Sequence, residues 1–420
     1  MEKQSHKRLK VLLGCYACDP HRGSEPGTGW NFAINISRYH DVHAIVEEGE
    51  FRESLEKFSQ ENPDIVRNIT FHFVPRDHHE TLRKIWPPSY YWFYRAWHKR
   101  AYQYAVELDK KENFDIVHQV NMVGYREPGY LWKLGKPFIW GPLGGLNNTA
   151  WCLLPELGFR DAFFYSLRNI INSWQKRFSY AARTVSKKAH TIFVSDPDGI
   201  RTVQQLWNRT PQMMREVGTP DITDVPEPMR HKIDEPLKLC WVGVHEARKA
   251  LPILLKALPL CNHPMKLEVL GGGEKEKTWK KLSVDMGISS LVHFHGFISH
   301  ADVSGVMKQC HVLCITSIHE GGTPNIAMEA LQNGLPIVAL NHCGYATVID
   351  ETCGIKLPVQ SQKKISAQLA TVLDQLAEDE ERRMSLARGA IERGKIFTWD
   401  AKMQVLNRVY AEAVAGNQVN

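Results

Sequence analysis

Residues 316–325 have the clearest capacity for chemistry in this sequence, because they place Glu320 in a loop between an apolar run and a helical pattern. Thr323 is a good N-cap and Pro324 suits the first helical position. The amides of a helix N-terminus carry partial positive charge and bind diphosphate well. Glu329, about two turns into the helix, can accept hydrogen bonds from a ribose diol, and Glu320 can do the same for a sugar ring.

Two adjacent cations, Arg248 and Lys249, follow a second apolar run and open the next helical pattern. Positive charges at the start of a helix interact unfavourably with the helix macrodipole, so we expect a functional reason for these two cations. Neutralising the charge of a diphosphate leaving group is one such reason. Taken alone, the pair would be interpreted as two solvated surface charges. Together with the 316–325 loop it indicates a phosphate site.

A third candidate is the glycine-bearing turn after the first apolar run, with Gly23, Gly27 and Gly29. The spacing is not that of the dinucleotide fingerprint, which argues against a dehydrogenase. Glycines here allow close backbone approach to a ligand.

The elements that must position these residues alternate β-branched runs with helical patterns, which is typical of parallel α/β units. Two such series imply two doubly wound domains, with ligands beyond the carboxyl ends of the strands. The predicted strands are 10–15, 42–46, 70–74, 115–119, 137–140, 191–195, 238–242, 266–270, 292–296, 312–316 and 336–340. Four prolines and five acidic residues predict a linker at 220–236.

The composition excludes several classes of protein. The 420 residues are 43% hydrophobic and 23% charged, so neither disorder nor a collagen-like repeat is expected. A net charge of +6 is too small to indicate nucleic acid, and no apolar run reaches the ~18 residues of a membrane span. The nine scattered cysteines and the absence of an export signal predict reduced thiols and a cytoplasmic protein.

In combination, these segments resemble the retaining GT-B glycosyltransferases of family 4. The similarity is carried by Glu320 to Glu329 with the following Gly334-Leu335-Pro336, by Gly243 with Lys249, by 270–273 and by 294–297. It implies a GT-B fold, in which two doubly wound Rossmann-like domains face a central cleft. Two positions depart from the family: Glu320 and Glu329 are one residue further apart than usual, and Val244 replaces a frequent arginine.

The resemblance also implies residue roles. Lys249 and Arg248 would hold the diphosphate, Glu329 the ribose and Glu320 the transferred sugar. Further donor contacts would come from Gly243, Gly321, Gly322 and Thr323. The turn with Gly23, Gly27 and Gly29 would form the acceptor-side loop. His118, at the end of a predicted strand, matches a histidine that the family places beside the sugar; a structural histidine at a strand end is the alternative.

The predicted organisation is an N-terminal acceptor-side domain (1–219), the linker (220–236) and a nucleotide-sugar-binding domain (237–396). By resemblance, the last helix (397–420) crosses back to the N-terminal domain. Two segments, 86–104 and 160–188, combine Lys and Arg with aromatic residues. Such segments are typical of membrane-interface helices, although core-packed helices with solvated cations explain them equally well.

The sequence therefore predicts a metal-independent retaining glycosyltransferase without a cofactor, which moves a sugar from a nucleotide-diphosphate donor to a hydroxyl acceptor. The expected acceptor is a lipid-linked or polysaccharide glycan at the inner, anionic face of a membrane. Asp196-Pro197-Asp198 has the spacing of a metal motif, but helix capping explains it more simply. Two alternatives remain: a nucleotide-sugar epimerase of the same fold, and a non-catalytic GT-B subunit that binds sugar or a partner.

Overall fold

Each half of the chain is built on a parallel sheet with helices around it. The computed structural model describes residues 7–77, 85, 89–221, 226–320, 322 and 325–417. Contacts divide the chain into two compact units. The first unit comprises Met1–Leu146, Gln175–Val217 and Lys402–Asn420, and the second comprises Asn147–Trp174 and Gly218–Ala401.

The first unit contains a seven-stranded sheet in the order β3-β2-β1-β4-β5-β6-β7, in which every described strand pair is parallel. The chain order reverses between β1 and β4, which defines the topological switch point. The strands are β1 Lys10–Cys15, β2 Asp41–Glu47, β3 Ile69–Val74, β4 Ile116–Asn121, β5 Phe138–Leu143, β6 Thr191–Val194 and β7 Gln212–Met213.

The second unit contains a six-stranded parallel sheet in the order β10-β9-β8-β11-β12-β13, with its switch point between β8 and β11. The strands are β8 Leu237–Val242, β9 Met265–Leu270, β10 Val292–Gly296, β11 Val312–Ile315, β12 Ile337–Leu340 and β13 Gly354–Leu357. Both units are therefore Rossmann-like, which confirms the predicted fold class.

Fifteen α-helices lie in the part of the chain that the structure describes. They are α1 Ser24–Ser37, α2 Glu48–Glu61, α3 Pro63–Val66, α4 Tyr90–Glu112, α5 Phe159–Phe178, α6 Tyr180–Lys188, α7 Pro197–Trp207, α8 Pro252–Ala257, α9 Glu276–Asp285, α10 His300–Met307, α11 Asn325–Gln332, α12 Tyr345–Val348, α13 Gln362–Glu378, α14 Glu380–Lys395 and α15 Trp399–Asn417. Among these residues, no helix combines the length and the apolar character that a membrane crossing requires.

The observed division differs most from the predicted boundaries at residues 147–174; residues 218–219 and 397–401 also lie in the second unit, and 402–420 lie in the first. Residues 147–174 belong to the second unit, because Leu153 is buried in that unit's core and the side chain of Asp161 forms an ion pair with Lys275 at 3.1 Å. The break at Val217–Gly218 lies close to the predicted start of the linker, whose residues 222–225 are outside the described part of the chain.

Two short strands, β7 and β13, were not predicted: β7 has only two residues, and β13 begins with Gly354 and contains Lys356, which gives a weak strand pattern. The prediction that Arg248 and Lys249 open an α-helix was wrong. They lie in a single 3-10 turn, Ala247–Lys249, which ends at Ala250 with φ +48°, and α8 begins only at Pro252. The left-handed backbone of Ala250 and the start of α8 at Pro252 thus separate the two cations from the helix.

Candidate functional site

The loops that follow β8 and β11 meet at the switch point of the second unit. Glu320 lies between the two cations of the other loop: its Oε1 is 2.5 Å from Lys249 Nζ and its Oε2 is 2.7 Å from Arg248 Nη1. Glu320 and Lys249 are buried, with 6% and 9% of their surfaces exposed. Sequence reasoning assigned these side chains to different parts of the donor, whereas the structure pairs them with one another.

Hydrogen bonds between the two loops hold this cluster in place. The Thr316 hydroxyl accepts from the Trp241 indole at 2.9 Å and donates to the carbonyl of Lys249 at 2.9 Å. The amide of Ile318 donates to the carbonyl of Arg248 at 2.8 Å. The backbone of each cation is therefore tied to the strand end from which Glu320 extends.

Three further groups contact the cluster. The carbonyl of Glu320 accepts from Asn147 Nδ2 at 2.6 Å, and its Oε1 accepts from the Tyr345 hydroxyl at 3.3 Å. Arg248 Nε donates to Glu246 Oε2 at 2.8 Å. Burial lowers the pKa of Arg248, but the two carboxylates outweigh this effect and the net shift is upward. Two cations thus face two carboxylates, and Glu320 is the partner that they share.

A buried histidine beside this cluster was not singled out from the sequence. His319 is 5% exposed, and burial with the nearby charge of Arg168 lowers its pKa to about 3, so the ring is neutral. Its Nδ1 has no hydrogen bond within the described residues. In the sequence, only the position of His319 next to Glu320 indicated a role at the site. The burial of the imidazole depends on tertiary contacts that the sequence does not show.

Two glycines near β8 differ in how strongly the backbone requires them. A Cβ at Gly243 would make ordinary contacts of 3.4–3.7 Å with Trp241 and Lys249, so space does not demand glycine there. Gly271 is the constrained position: its φ is +109°, and a Cβ would lie 2.2 Å from the carbonyl oxygen of Gly243. The close approach of the backbone after β9 to the backbone after β8 therefore requires glycine at position 271.

The remaining residues that were predicted to bind the donor lie around α11. Glu329 is half-buried in the second turn of that helix, and Gly322 is half-buried in the loop before it. Gly334 has φ +63° just after α11, the left-handed conformation expected where a helix stops. Gly321, Thr323 and Pro324, including the predicted N-cap, lie outside the described residues.

The geometry of His118 does not support the predicted contact with the sugar. The residue lies inside β4 rather than at its end and is fully buried. Its Nε2 is 2.7 Å from the carbonyl of Gly141, and its Nδ1 is 2.7 Å from the Tyr410 hydroxyl. Burial lowers its pKa to about 4. With both ring nitrogens bonded inside the first unit, the structural alternative explains this histidine.

The glycine turn after β1 is also built differently from the prediction, because α1 begins at Ser24 and includes two of the glycines. A Cβ at Gly27 would lie 2.5 Å from the carbonyl oxygen of Arg22, and one at Gly29 would lie 2.1 Å from that of Ala17. These glycines serve close packing of α1 on its own loop. Only Gly23 is exposed with open space around it.

The first unit also contains two buried carboxyl groups that sequence analysis did not assign to the site: Glu25, near the switch point, and Asp196, which follows β6. Glu25 Oε1 accepts from the amide of Val123 at 3.4 Å, and its buried Oε2 has no hydrogen bond among the described residues. Burial, and secondly the charge of Glu216, raises the pKa of Glu25 to about 7. Asp196 caps α7 through a 2.7 Å bond from the amide of Gly199, as predicted, and burial raises its pKa to about 7.

Glu25→Gln should increase thermal stability more at about pH 8 than at about pH 5. The folded chain keeps a proton on Glu25 that the unfolded chain loses near its ordinary pKa of 4.5. The free energy of unfolding should therefore fall as the pH rises from about 4.5 to about 7, and the amide removes this penalty. Scanning calorimetry of both proteins at the two pH values measures the effect. An equal difference in Tm at both values would contradict it.

Comparison with known proteins adds independent information on the second unit. Residues 227–393 match the family model of glycosyl transferases group 1. A D-inositol 3-phosphate glycosyltransferase of Corynebacterium kroppenstedtii is 28% identical over 202 residues, which is 45% of this chain and 44% of the relative. An MMP alpha-(1->4)-mannosyltransferase of Mycolicibacterium hassiacum is 28% identical over 138 residues, which is 32% of this chain and 33% of the relative. The chain thus spans about half or less of these relatives.

Solved structures match nearly the whole chain. The lipopolysaccharide outer core galactosyltransferase WaaB aligns with a TM-score of 0.65 at 14% identity, covering 97% of this chain and 100% of that protein. Anabaena Alr3699/HepE, in complex with UDP and glucose, aligns with a TM-score of 0.61 at 14% identity, covering 96% and 100%. At this identity the likeness establishes the fold, and it is the GT-B fold that the sequence predicted.

Proposed function

We propose that this GT-B protein, whose residues 227–393 form a group 1 glycosyltransferase domain, transfers a sugar from a nucleotide-diphosphate donor to an acceptor hydroxyl. The observation that carries the proposal is the cluster of Lys249, Arg248 and Glu320. It lies at the carboxyl end of the second sheet, at the switch point where ligands of such sheets bind. The HepE complexes with UDP and UDP-glucose support the same donor class.

In this proposal the donor diphosphate takes over Arg248 and Lys249 from Glu320. Two cations at one anion supply the charge stabilisation that a metal ion provides elsewhere, so the transfer should be metal-independent. The released Glu320 carboxylate and the neutral His319 can then accept hydrogen bonds from hydroxyls of the donor sugar. Glu329, half-buried on α11, is the proposed acceptor of hydrogen bonds from the ribose.

The proposed transfer retains the anomeric configuration. The bond from the acceptor oxygen to the anomeric carbon forms on the face from which the bond to phosphate breaks, and the hydroxyl proton passes to the leaving phosphate oxygen. No protein nucleophile takes part, and catalysis consists of positioning and of stabilising charge on the diphosphate.

A face of α5 supports a lipid-linked acceptor. Its polar side chains are turned inward: the Asn169 amide donates to the carbonyl of Thr149 at 2.7 Å, and Asn172 donates to that of Asn147 at 3.0 Å. Large apolar side chains on 159–180 are exposed instead, by 44–90%: Phe159, Phe163, Phe164, Leu167, Ile170, Ile171, Trp174, Phe178 and Tyr180. A helix in water normally shows the reverse arrangement.

The charges around this face favour an anionic lipid surface as its partner. Arg160, Arg177 and Arg183 are exposed along α5 and α6, and each such cation contributes about 1 kcal/mol near anionic lipid. The other basic-aromatic segment is less suited, since Tyr94 and Trp97 of α4 pack in the core. We therefore propose peripheral attachment through α5 at the inner face of a membrane.

Thermal shift against UDP, GDP, ADP and their sugar conjugates, with and without EDTA, tests the donor proposal. One nucleotide should raise Tm by several degrees regardless of EDTA. NMR of the product formed with that donor should then show the donor's anomeric configuration. Donor conversion without an acceptor would indicate the epimerase, and the absence of any shift would indicate the non-catalytic subunit.

A further inference from the structure

Two histidines and a glutamate form a cluster at the edge of the second sheet that has no part in the proposed transfer. His293 and His295 lie on the edge strand β10, and Glu268 lies on its neighbour β9. The residues of the cluster each offer one ligand atom, and these atoms lie within 4.8 Å of one another.

The register of the two strands creates this arrangement. His293 is directly opposite Glu268, and side chains two residues apart on a strand lie on the same face. Phe294, between the histidines, packs against the core of the second unit. The register shifts between Phe294 and Gly296, but the two imidazoles still lie together, with ring centroids 4.4 Å apart.

We propose that Glu268, His293 and His295 bind a late-transition divalent cation such as Zn²⁺. Two imidazoles and one carboxylate are a ligand set that zinc accepts, with bonds of about 2.0–2.2 Å. Ligand atoms around a tetrahedral ion are therefore about 3.4 Å apart. The 2.7 Å contact between His295 Nε2 and Glu268 Oε2 is shorter than this and the remaining separations are no longer than 4.8 Å, so small side-chain rotations suffice.

The site has room for a fourth ligand. His293 is exposed, and the side chains of His295 and Glu268 are 22% and 26% exposed, so water can complete the coordination. The soft and borderline metals that imidazole prefers should bind, whereas Mg²⁺ favours oxygen ligands and should not. The bound ion would link the edge strand β10 to β9. It is separate from the metal-independent diphosphate site, since none of its ligands belongs to that cluster.

Titration of chelator-treated full-length protein with Zn²⁺ and with Mg²⁺, followed by calorimetry and elemental analysis, tests this site. We expect one Zn²⁺ per chain, a rise in Tm with Zn²⁺ alone, and intense visible absorption of four-coordinate Co²⁺ after substitution. His293→Ala, His295→Ala and Glu268→Gln should each weaken Zn²⁺ binding at least about tenfold. The exposed His190 of the first unit provides the matched control, and His190→Ala should leave binding unchanged.

Two results would overturn the proposal: Zn²⁺ binding that is equal in wild type and in the double variant of His293 and His295, or no binding above the Mg²⁺ level. Because His293 is exposed, the His293→Ala variant should still fold. Its Tm without metal, compared with the Tm of metal-free wild type, checks this. Nucleotide binding by His293→Ala should match wild type, so failure of the metal site is distinguishable from failure of the proposed transferase activity.

Discussion

Lys249→Ala should lower kcat/KM for the sugar donor by about two orders of magnitude or more, the scale of losing one group that stabilises transition-state charge. The ammonium group is the proposed partner of the leaving diphosphate. Steady-state kinetics with the donor identified by thermal shift measures the effect. Lys281→Ala, which removes a surface cation whose side chain is 76% exposed in the same unit, is the control and should behave as wild type.

The same substitution breaks a buried ion pair, which by itself destabilises a protein strongly. Lys249→Met combined with Glu320→Gln isolates the effect on stability, because it removes both charges of the buried pair while Arg248 keeps Glu246 as its partner. The double variant should regain thermal stability relative to Lys249→Ala and remain inactive. Turnover close to wild type in Lys249→Ala would contradict the assignment of this residue to the diphosphate.

Phe163→Asp with Trp174→Asp should reduce co-sedimentation with anionic lipid vesicles by about ten- to a hundredfold. Each side chain is more than half exposed on α5, and full burial of such a side chain in an apolar medium gains about 1.5–3 kcal/mol. Two carboxylates also repel the anionic surface. Val284→Asp is the matched control, since Val284 is 63% exposed on α9 and should leave vesicle binding unchanged.

Zwitterionic vesicles and added salt test the electrostatic part of this proposal. Wild type should bind zwitterionic vesicles more weakly, and salt should weaken its binding to anionic ones. Equal sedimentation of the variant and wild type would contradict the membrane assignment. Self-association of wild type that the two substitutions abolish would instead identify the apolar face as an interface between copies of the chain.

The sequence by itself determined the approximate positions of most strands and the end of the helix that follows the 316–325 loop. Strands β1 and β10 have the predicted bounds, and the predicted stop after α11 coincides with the left-handed Gly334. These features follow from local properties: hydrophobic periodicity, β-branched composition, and the backbone freedom of glycine and proline. The alternation of strands and helices also predicted two parallel sheets with ligands beyond the carboxyl ends of their strands, whereas the strand orders and the two switch points come from the folded structure.

Only the tertiary structure decided how the candidate site residues are paired. Glu320 meets Lys249 and Arg248 across 71 and 72 residues of sequence, and His118 meets Tyr410 across 292 residues. A sequence pattern reports which side chains are present, whereas the partner and the burial of each depend on contacts between distant segments. For the same reason the inward polar face of α5, the raised pKa of Glu25 and the cluster of His293, His295 and Glu268 became visible only in the folded chain.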